Sequence, residues 1–475
     1  MATGKGSLAV ERPERSTLKI VGGIAAIVIP LIVWFSPLGL DPMIPHAIAI
    51  TTFMVISWMT EIMDHAITGL VGCFLFWALK VAPIDLAFSG FATSTPWFLF
   101  GAILFGVMAS KSGVARRVAF VILRVVGKSY SRIMLGLIIA AFALTFLVPS
   151  GIARLVIMIP VALGLIEAFK VPPSSNIARG LMVVLTYTCA LSDKMIIAGA
   201  AAITASGLIA EIGGVQVLYI EWFLAYLPSS LLTILAAWWL TLRLFPPETD
   251  IVSRGSDYIQ KELEEMGPWT ALEKRSVALL LFALGLWLTD KWHPSISAPL
   301  VGLGVGLAAT LPILRLLTGE DLKKVNFLPV FFVAAAVSMG NVLVESKALD
   351  VLTNVMFGWM EPFLYNAWTS TMVLYWTAFV YHIFLASEVS MLATSIPLLM
   401  NFSKAHGLDP LAMGMIWTFA AGGKIFVYQN AVLIVGYSYG IFRSRDLLKI
   451  GIALTIVEAL IVFFIVPLYW PLIGI

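Results

Sequence analysis

Phe384-Leu-Ala-Ser-Glu-Val-Ser-Met-Leu-Ala-Thr-Ser-Ile-Pro397 is an apolar stretch with a carboxylate, Glu388, in its middle. It has a counterpart in Phe146-Leu-Val-Pro-Ser-Gly-Ile-Ala-Arg-Leu-Val-Ile-Met-Ile-Pro160. Each carries a Ser followed ten positions later by a Pro, and Ser150 to Ser387 repeats the offset of Pro160 to Pro397. Residues 132–169 are too few for two membrane crossings and a loop, and Pro149-Ser150-Gly151 breaks them in the middle. The pair therefore reads as two re-entrant hairpin tips. Such backbone persists at membrane depth only where protein or a water-filled cavity covers it.

The whole chain fits that reading. Of its 475 residues 60% are hydrophobic and only 12% charged, against about a quarter charged in a soluble domain. The fold class is an all-α polytopic membrane protein. About 11 transmembrane helices and two re-entrant hairpins are expected, in two inverted-topology repeats. Residues 1–17 read as a cytoplasmic tail and 18–245 as the first repeat, with its hairpin at 132–169. A polar cytoplasmic linker follows at 246–272, then the second repeat at 273–475 with its hairpin at 367–403. Lys111–Lys128, with Arg116, Arg117 and Arg124 among apolar residues, reads as a helix lying in the interface. Arg179–Leu208 and Pro410–Val435 read as broken helices, and Ser297–Leu317 as an unbroken span.

Orientation follows from the basic residues. With the N-terminus inside, most of the 30 Lys and Arg fall in cytoplasmic segments, and only Lys80, Lys291, Lys347 and Lys404 fall outside. The hairpins then enter from opposite sides and the C-terminus lies outside. The expected location is the plasma (inner) membrane. Arg154, Lys194 and Lys424 remain at membrane depth, each in a hairpin or broken helix, beside Asp193 and Glu388. Charges at that depth are costly and usually functional. In one reading they form internal salt bridges. In the other, three cations against two carboxylates attract an anion, whose oxygens are capped by amides near Ser150 and Ser387.

Other polar groups read more plainly. His382 reads as a satisfied core residue, and Glu61, Asp64 and His65 as a solvated turn whose spacing is weak for a metal. Cys73 and Cys189 lie in apolar runs and give no grounds for a disulfide. No nucleotide-binding loop, zinc-protease helix or nucleophile elbow is present, so neither an enzyme nor a nucleic-acid partner is expected. No cofactor is expected beyond Na+ or H+ as a coupling ion.

Three features carry a resemblance. Thr95-Pro-Trp-Phe-Leu-Phe-Gly runs into Lys111-Ser-Gly-Val-Ala-Arg-Arg, the two Ser-to-Pro hairpins follow, and the chain closes on Gln429-Asn430-Ala431, Gly440 and Asp446-Leu-Leu-Lys-Ile-Gly451. Over nearly its full length the chain resembles the divalent anion:sodium symporter family, whose relatives carry dicarboxylates, citrate or sulfate. The resemblance implies a homodimer moving by an elevator-like mechanism, with a Ser-Asn-Thr signature at both tips binding sodium and substrate carboxylates. Here the tips read Ser150-Gly151-Ile152 and Ser387-Glu388-Val389. The first broken helix reads Ser192-Asp193-Lys194 with Gly199 kept, and the second Val427-Tyr428-Gln429-Asn430 after Lys424. The neutral oxygens suited to sodium are largely gone.

The expected substrate-binding set is Ser150, Gly151, Ile152, Arg154, Ser192, Lys194, Gly199, Ser387, Glu388, Val389, Lys424 and Asn430. Asp193 and Glu388 are the expected coupling carboxylates. The function expected is secondary transport of a small dicarboxylate-, sulfonate- or sulfate-like anion with reduced or no sodium dependence. The alternatives are a non-transporting sensor or scaffold with a salt-bridged site, a sodium symporter using backbone carbonyls, and a cation/proton antiporter.

Overall fold

A computed structural model describes residues 17–37, 39–126, 129–248, 254–385, 387–421 and 425–475. The expected tail, apart from its last residue, part of the linker and Lys424 lie outside the described residues. Within them every regular element is helical. Met43–Thr60, Gly151–Phe169, Tyr219–Leu244, Leu328–Glu345 and Ser444–Ile473 are long and apolar enough to cross a membrane alone. Others, such as Ala200–Gly213, Ala298–Ala308 and Pro410–Ala420, are too short for the roughly 20 residues a crossing needs.

The element order repeats. Helix Ser94–Ser112 turns by 68° into Val114–Val126 at Gly113, and Leu328–Glu345 likewise leads into the short Ala348–Phe357. Each is followed by a hairpin: Tyr130–Thr145 with Gly151–Phe169, then Ala367–Phe384 with Glu388–Ala405. Broken helices come next, Asn176–Leu191 with Ala200–Gly213 and Pro410–Ala420 with Ala431–Ser438. Each series ends on a long helix, Tyr219–Leu244 or Ser444–Ile473.

Local chemistry sets the breaks. Pro149 lacks an amide hydrogen, and the Ser150 hydroxyl caps the new helix by accepting the Ala153 N–H at 3.3 Å. Ser387 does the same for Ser390 N–H at 3.1 Å. Between Leu191 and Ala200 the chain passes through a tight turn at Ser192–Lys194. A side chain at Gly199 would collide with the Asp193 carbonyl, so the turn needs glycine. Length alone makes Gly151–Phe169 a possible crossing, but its first residue is buried against Asp193, deep in the protein.

The halves exchange partners across the centre. The second arm of hairpin 2, Glu388–Ala405, packs on Ala200–Gly213 of the first half. The second arm of hairpin 1, Gly151–Phe169, packs on Ala431–Ser438 of the second. Around them Ser94–Ser112 meets Ala298–Ala308 through Gly101 and Gly302, whose backbones approach too closely for a Cβ. Small residues at such contacts are the usual device of membrane helices.

Three expectations change. Ser297–Leu317 is not one span: its helix is Ala298–Ala308, and the chain then turns back so that Leu317 N–H reaches Ala309 O at 2.8 Å. Pro312, which cannot continue a helix, explains the stop. The linker is not merely polar loop. Its helix Arg254–Met266 lies on Val114–Val126 and Gly151–Phe169, with the Tyr258 ring against Gly164 and 5.9 Å from Phe120. Arg117, expected at an interface, is buried, donating to Glu273 at 2.6 Å and to the carbonyls of Met266 and Gly267 at 3.0 and 2.8 Å.

Lys111 gives a pH-dependent clasp. Its ammonium lies 2.6 Å from Asp321, which also accepts from Thr318 N–H and hydroxyl at 2.7 and 2.8 Å. The ammonium, then the hydroxyl, hold the Asp321 carboxyl down at about 2, against about 3.9 unperturbed. The folded pKa is depressed, so this contribution is complete above the unfolded value and disappears as pH falls towards 2. Thermal melts between pH 5 and 2.5 should show a slightly weaker pH dependence for Asp321→Asn than for wild type.

Candidate functional site

A cavity of about 340 Å3 opens between the two tips. Hairpin 2 contributes Ser387, Glu388, Val389 and Ser390, and the second break contributes Tyr428 and Asn430. Hairpin 1 contributes Ile152 alone, and the first break Asp193, Ala200 and Ala201. The far wall comes from outside both hairpins: the turn Glu61–Ala66, Leu99, and residues from Asn326 to Val333. Of the expected set, the cavity therefore gathers Ile152, Ser387, Glu388, Val389 and Asn430, with Asp193. Ser150, Gly151, Arg154, Ser192, Lys194 and Gly199 stand behind it. Lys424 lies outside the described residues.

What stands behind is a fixed polar network. Arg154 is 0% exposed. One guanidinium nitrogen donates to the carbonyls of Val148 and Pro149, both at 2.9 Å. The other donates to Cys189 O at 2.9 Å, Ser192 Oγ at 3.3 Å and Asp193 Oδ1 at 3.2 Å. The charge thus ties the tip of hairpin 1 to the first break. Asp193 Oδ1 also accepts the Gly151 N–H at 3.0 Å. Lys194 points elsewhere, to Phe419 O at 2.6 Å and Glu458 Oε1 at 3.4 Å, while Tyr375 donates to Glu458 Oε2 at 3.1 Å.

Glu458 is the residue that the charge count missed. It sits alone among apolar neighbours of the last helix, which is itself a signal of function or pairing. With it, Arg154 pairs with Asp193 and Lys194 with Glu458. Of the three expected cations, Arg154 and Lys194 are thus held in internal pairs, and Lys424 lies outside the described residues. Among the described lining residues the charged groups are Glu61, Asp64, Asp193 and Glu388, with His65 beside them and no Lys or Arg.

The second tip is tied differently. Glu388, buried, accepts the Asn430 amide at 2.7 Å, and Asn430 Oδ1 caps the next half-helix by accepting Val432 N–H at 2.8 Å. Gln429 accepts from the amides of Ile425 and Phe426 at 2.8 Å, and its carbonyl lies 3.1 Å from His382 Nε2. His382 is thus a bonded core residue. Tyr428, not anticipated, donates to Ile383 O at 2.8 Å and lines the cavity.

Glu61, Asp64 and His65 do more than their sequence suggested. The turn is solvated, with Glu61 and Asp64 exposed, and all three residues also line the cavity. The turn is held in place because Asp64 caps the helix His65–Ala78, accepting Ala66 N–H at 2.8 Å, and Trp58 donates to His65 O at 3.0 Å. Among the described residues no group of three His, Cys, Asp or Glu is arranged to hold a metal.

Four helix starts converge here, capped by Ser150, Gly199, Ser387 and Asn430. At three of them a side chain of the capping residue already accepts an amide, Ala153 N–H at Ser150, Ser390 N–H at Ser387 and Val432 N–H at Asn430.

The profile of a family described as "Sodium:sulfate symporter transmembrane region" matches residues 17–475. A membrane protein of Cupriavidus necator is 25% identical, over 96% of this chain and 92% of its own. A citrate/succinate antiporter of Escherichia coli K12 is 27% identical, over 81% of this chain and 80% of its own. An L-tartrate/succinate antiporter of the same strain is 24% identical over 78% and 77%.

Proposed function

The chain belongs to the sodium:sulfate symporter family, and from that premise we propose that it is a secondary transporter of a small organic anion with little or no sodium dependence. The anion loads in the cavity between the tips. Related proteins named as citrate/succinate and tartrate/succinate antiporters support an organic anion and exchange as the mode. The inverted arrangement of the two halves, a homodimer and an elevator-type movement belong to the same proposal.

The observation that carries sodium independence is the oxygen cage around Arg154. Sodium at a hairpin tip would need carbonyl, hydroxyl and carboxylate oxygens, and here a guanidinium already takes five of them. Lys194 occupies the Phe419 carbonyl in the same way. A resident cation keeps these oxygens satisfied through the cycle, with no ion to load or release.

Proteoliposomes test this. Uptake against an internal anion is expected to change less than twofold when sodium is replaced by choline. A steep sodium dependence overturns the proposal. Internal pairs also suit a sealed sensor, and absence of any flux from protein that still binds anion would favour that reading.

A further inference from the structure

We propose that a carboxylate anion loading between the tips brings a proton with it, taken up from solvent on the imidazole of His65. The inference rests on the transport reading, in taking the cavity between the tips as the loading site of a small organic anion.

His65 stands on the wall that comes from outside both hairpins, in the same cavity as Ser387, Ser390 and Asn430. Its backbone is fixed on both sides. The Trp58 indole donates to its carbonyl at 3.0 Å, and Asp64 caps the helix that it begins, accepting Ala66 N–H at 2.8 Å. Phe332 meets the His65 ring edge-on, with centroids 5.8 Å apart, and the ring nitrogen Nε2 has no hydrogen-bond partner. Among the described lining residues there is no Lys or Arg, which leaves His65 as the one group there able to become a cation. The charges of Arg154 and Lys194 are already matched by Asp193 and Glu458.

The groups around the imidazole decide its charge. Glu61 and Asp64 flank it on its own turn, and Leu328–Glu345, packed on the helix His65–Ala78, brings only apolar residues to the cavity. Asp85 follows the other end of that helix. Across the cavity Asp193 is paired with Arg154, and Glu388 accepts from Asn430. Burial lowers the imidazole pKa by more than Glu61 and Asp64 raise it, from about 6.5 unperturbed. With the cavity empty, His65 is therefore neutral just above pH 7. A cargo carboxylate favours the imidazolium and raises that pKa. Between the two values loading takes up a proton, so the anion binds more tightly as pH falls through that window and levels off below it. The oxygens caged around Arg154 load no ion in this cycle; the proton is taken on the far wall.

The test is calorimetry of L-tartrate and succinate binding to the purified full chain at pH 7.5. Both anions are fully ionised there, so a proton taken up goes to the protein. Tris and triethanolamine serve as buffers, because both are cations that do not compete for an anion site and they differ in heat of ionisation. Wild-type heats should differ between the buffers by the equivalent of about half to one proton per anion. Affinity should rise roughly threefold to tenfold from pH 8 to pH 7. His65→Gln should give equal heats in both buffers and a flat affinity over the same range. Equal heats in the wild type, or a buffer dependence that survives in His65→Gln, overturns the inference. If that variant does not fold, Glu61→Gln on the exposed side of the turn decides. Removing a carboxylate beside the ring should move the pH at which affinity levels off downwards, and an unmoved profile counts against His65. Binding without a linked proton sinks this inference alone. Linked binding without flux sinks the transport reading alone, and no binding of either anion sinks both.

Discussion

Arg154→Ala should destabilise the protein by about 3–5 kcal/mol, the range for removing one partner of a buried ion pair. The guanidinium is fully buried and donates to five oxygens, one of them the Asp193 carboxylate. Without it the carboxylate loses its counter-charge and three carbonyls lose a donor, each at a cost of about 1–3 kcal/mol. The variant also carries a sharper expectation. The vacated cage is lined by hard oxygen ligands of the kind sodium takes. In detergent, the melting temperature of Arg154→Ala should rise with sodium relative to choline while that of the wild type stays flat. A variant that melts like wild type would show that the cage is held by something other than Arg154.

The second large effect lies in the Lys194–Glu458 pair. Lys194→Met leaves Glu458 buried with only Tyr375 as a donor, and Glu458→Leu leaves Lys194 with only the Phe419 carbonyl. Each single change should cost about 3–5 kcal/mol, and the double variant should recover part of the loss, because a buried pair is often replaceable by apolar residues of similar size. A coupling energy of about 1–3 kcal/mol is expected in the cycle. Strict additivity would mean that the two charges act apart. Since Glu458 lies on the last helix and Lys194 at the first break, the pair joins the middle of the first half to the end of the second.

Much of the fold was legible because it is written in breaks. Pro149-Ser150-Gly151 marked one tip, the matching offset marked the other, and apolar runs marked the helices between them. The helix breaks fall where these signals put them. Less of the site was legible. Charge counting set Arg154, Lys194 and Lys424 against Asp193 and Glu388. It passed over Glu458, whose one-letter context is an ordinary apolar helix. Nothing in local sequence says which way a side chain faces, so Arg154 and Lys194 read as ligand contacts while the structure turns both inward. The turn at Glu61–His65 was missed for another reason. It shares a cavity with the second tip, a juxtaposition of distant parts of the chain that no local spacing encodes.

The linker helix has a consequence for how such a chain can be rebuilt. A polar linker between two halves of a chain is ordinarily the place where a protein tolerates cutting, lengthening or the swapping of one half for a relative's. Here Tyr258 is seated on Gly164, and Glu273, just beyond the linker, is held by Arg117, so the join is part of the wall of the first half. The modular boundary has moved. A chimera would have to inherit the linker together with hairpin 1, and the point of exchange would fall after Glu273 and not in the polar run before it.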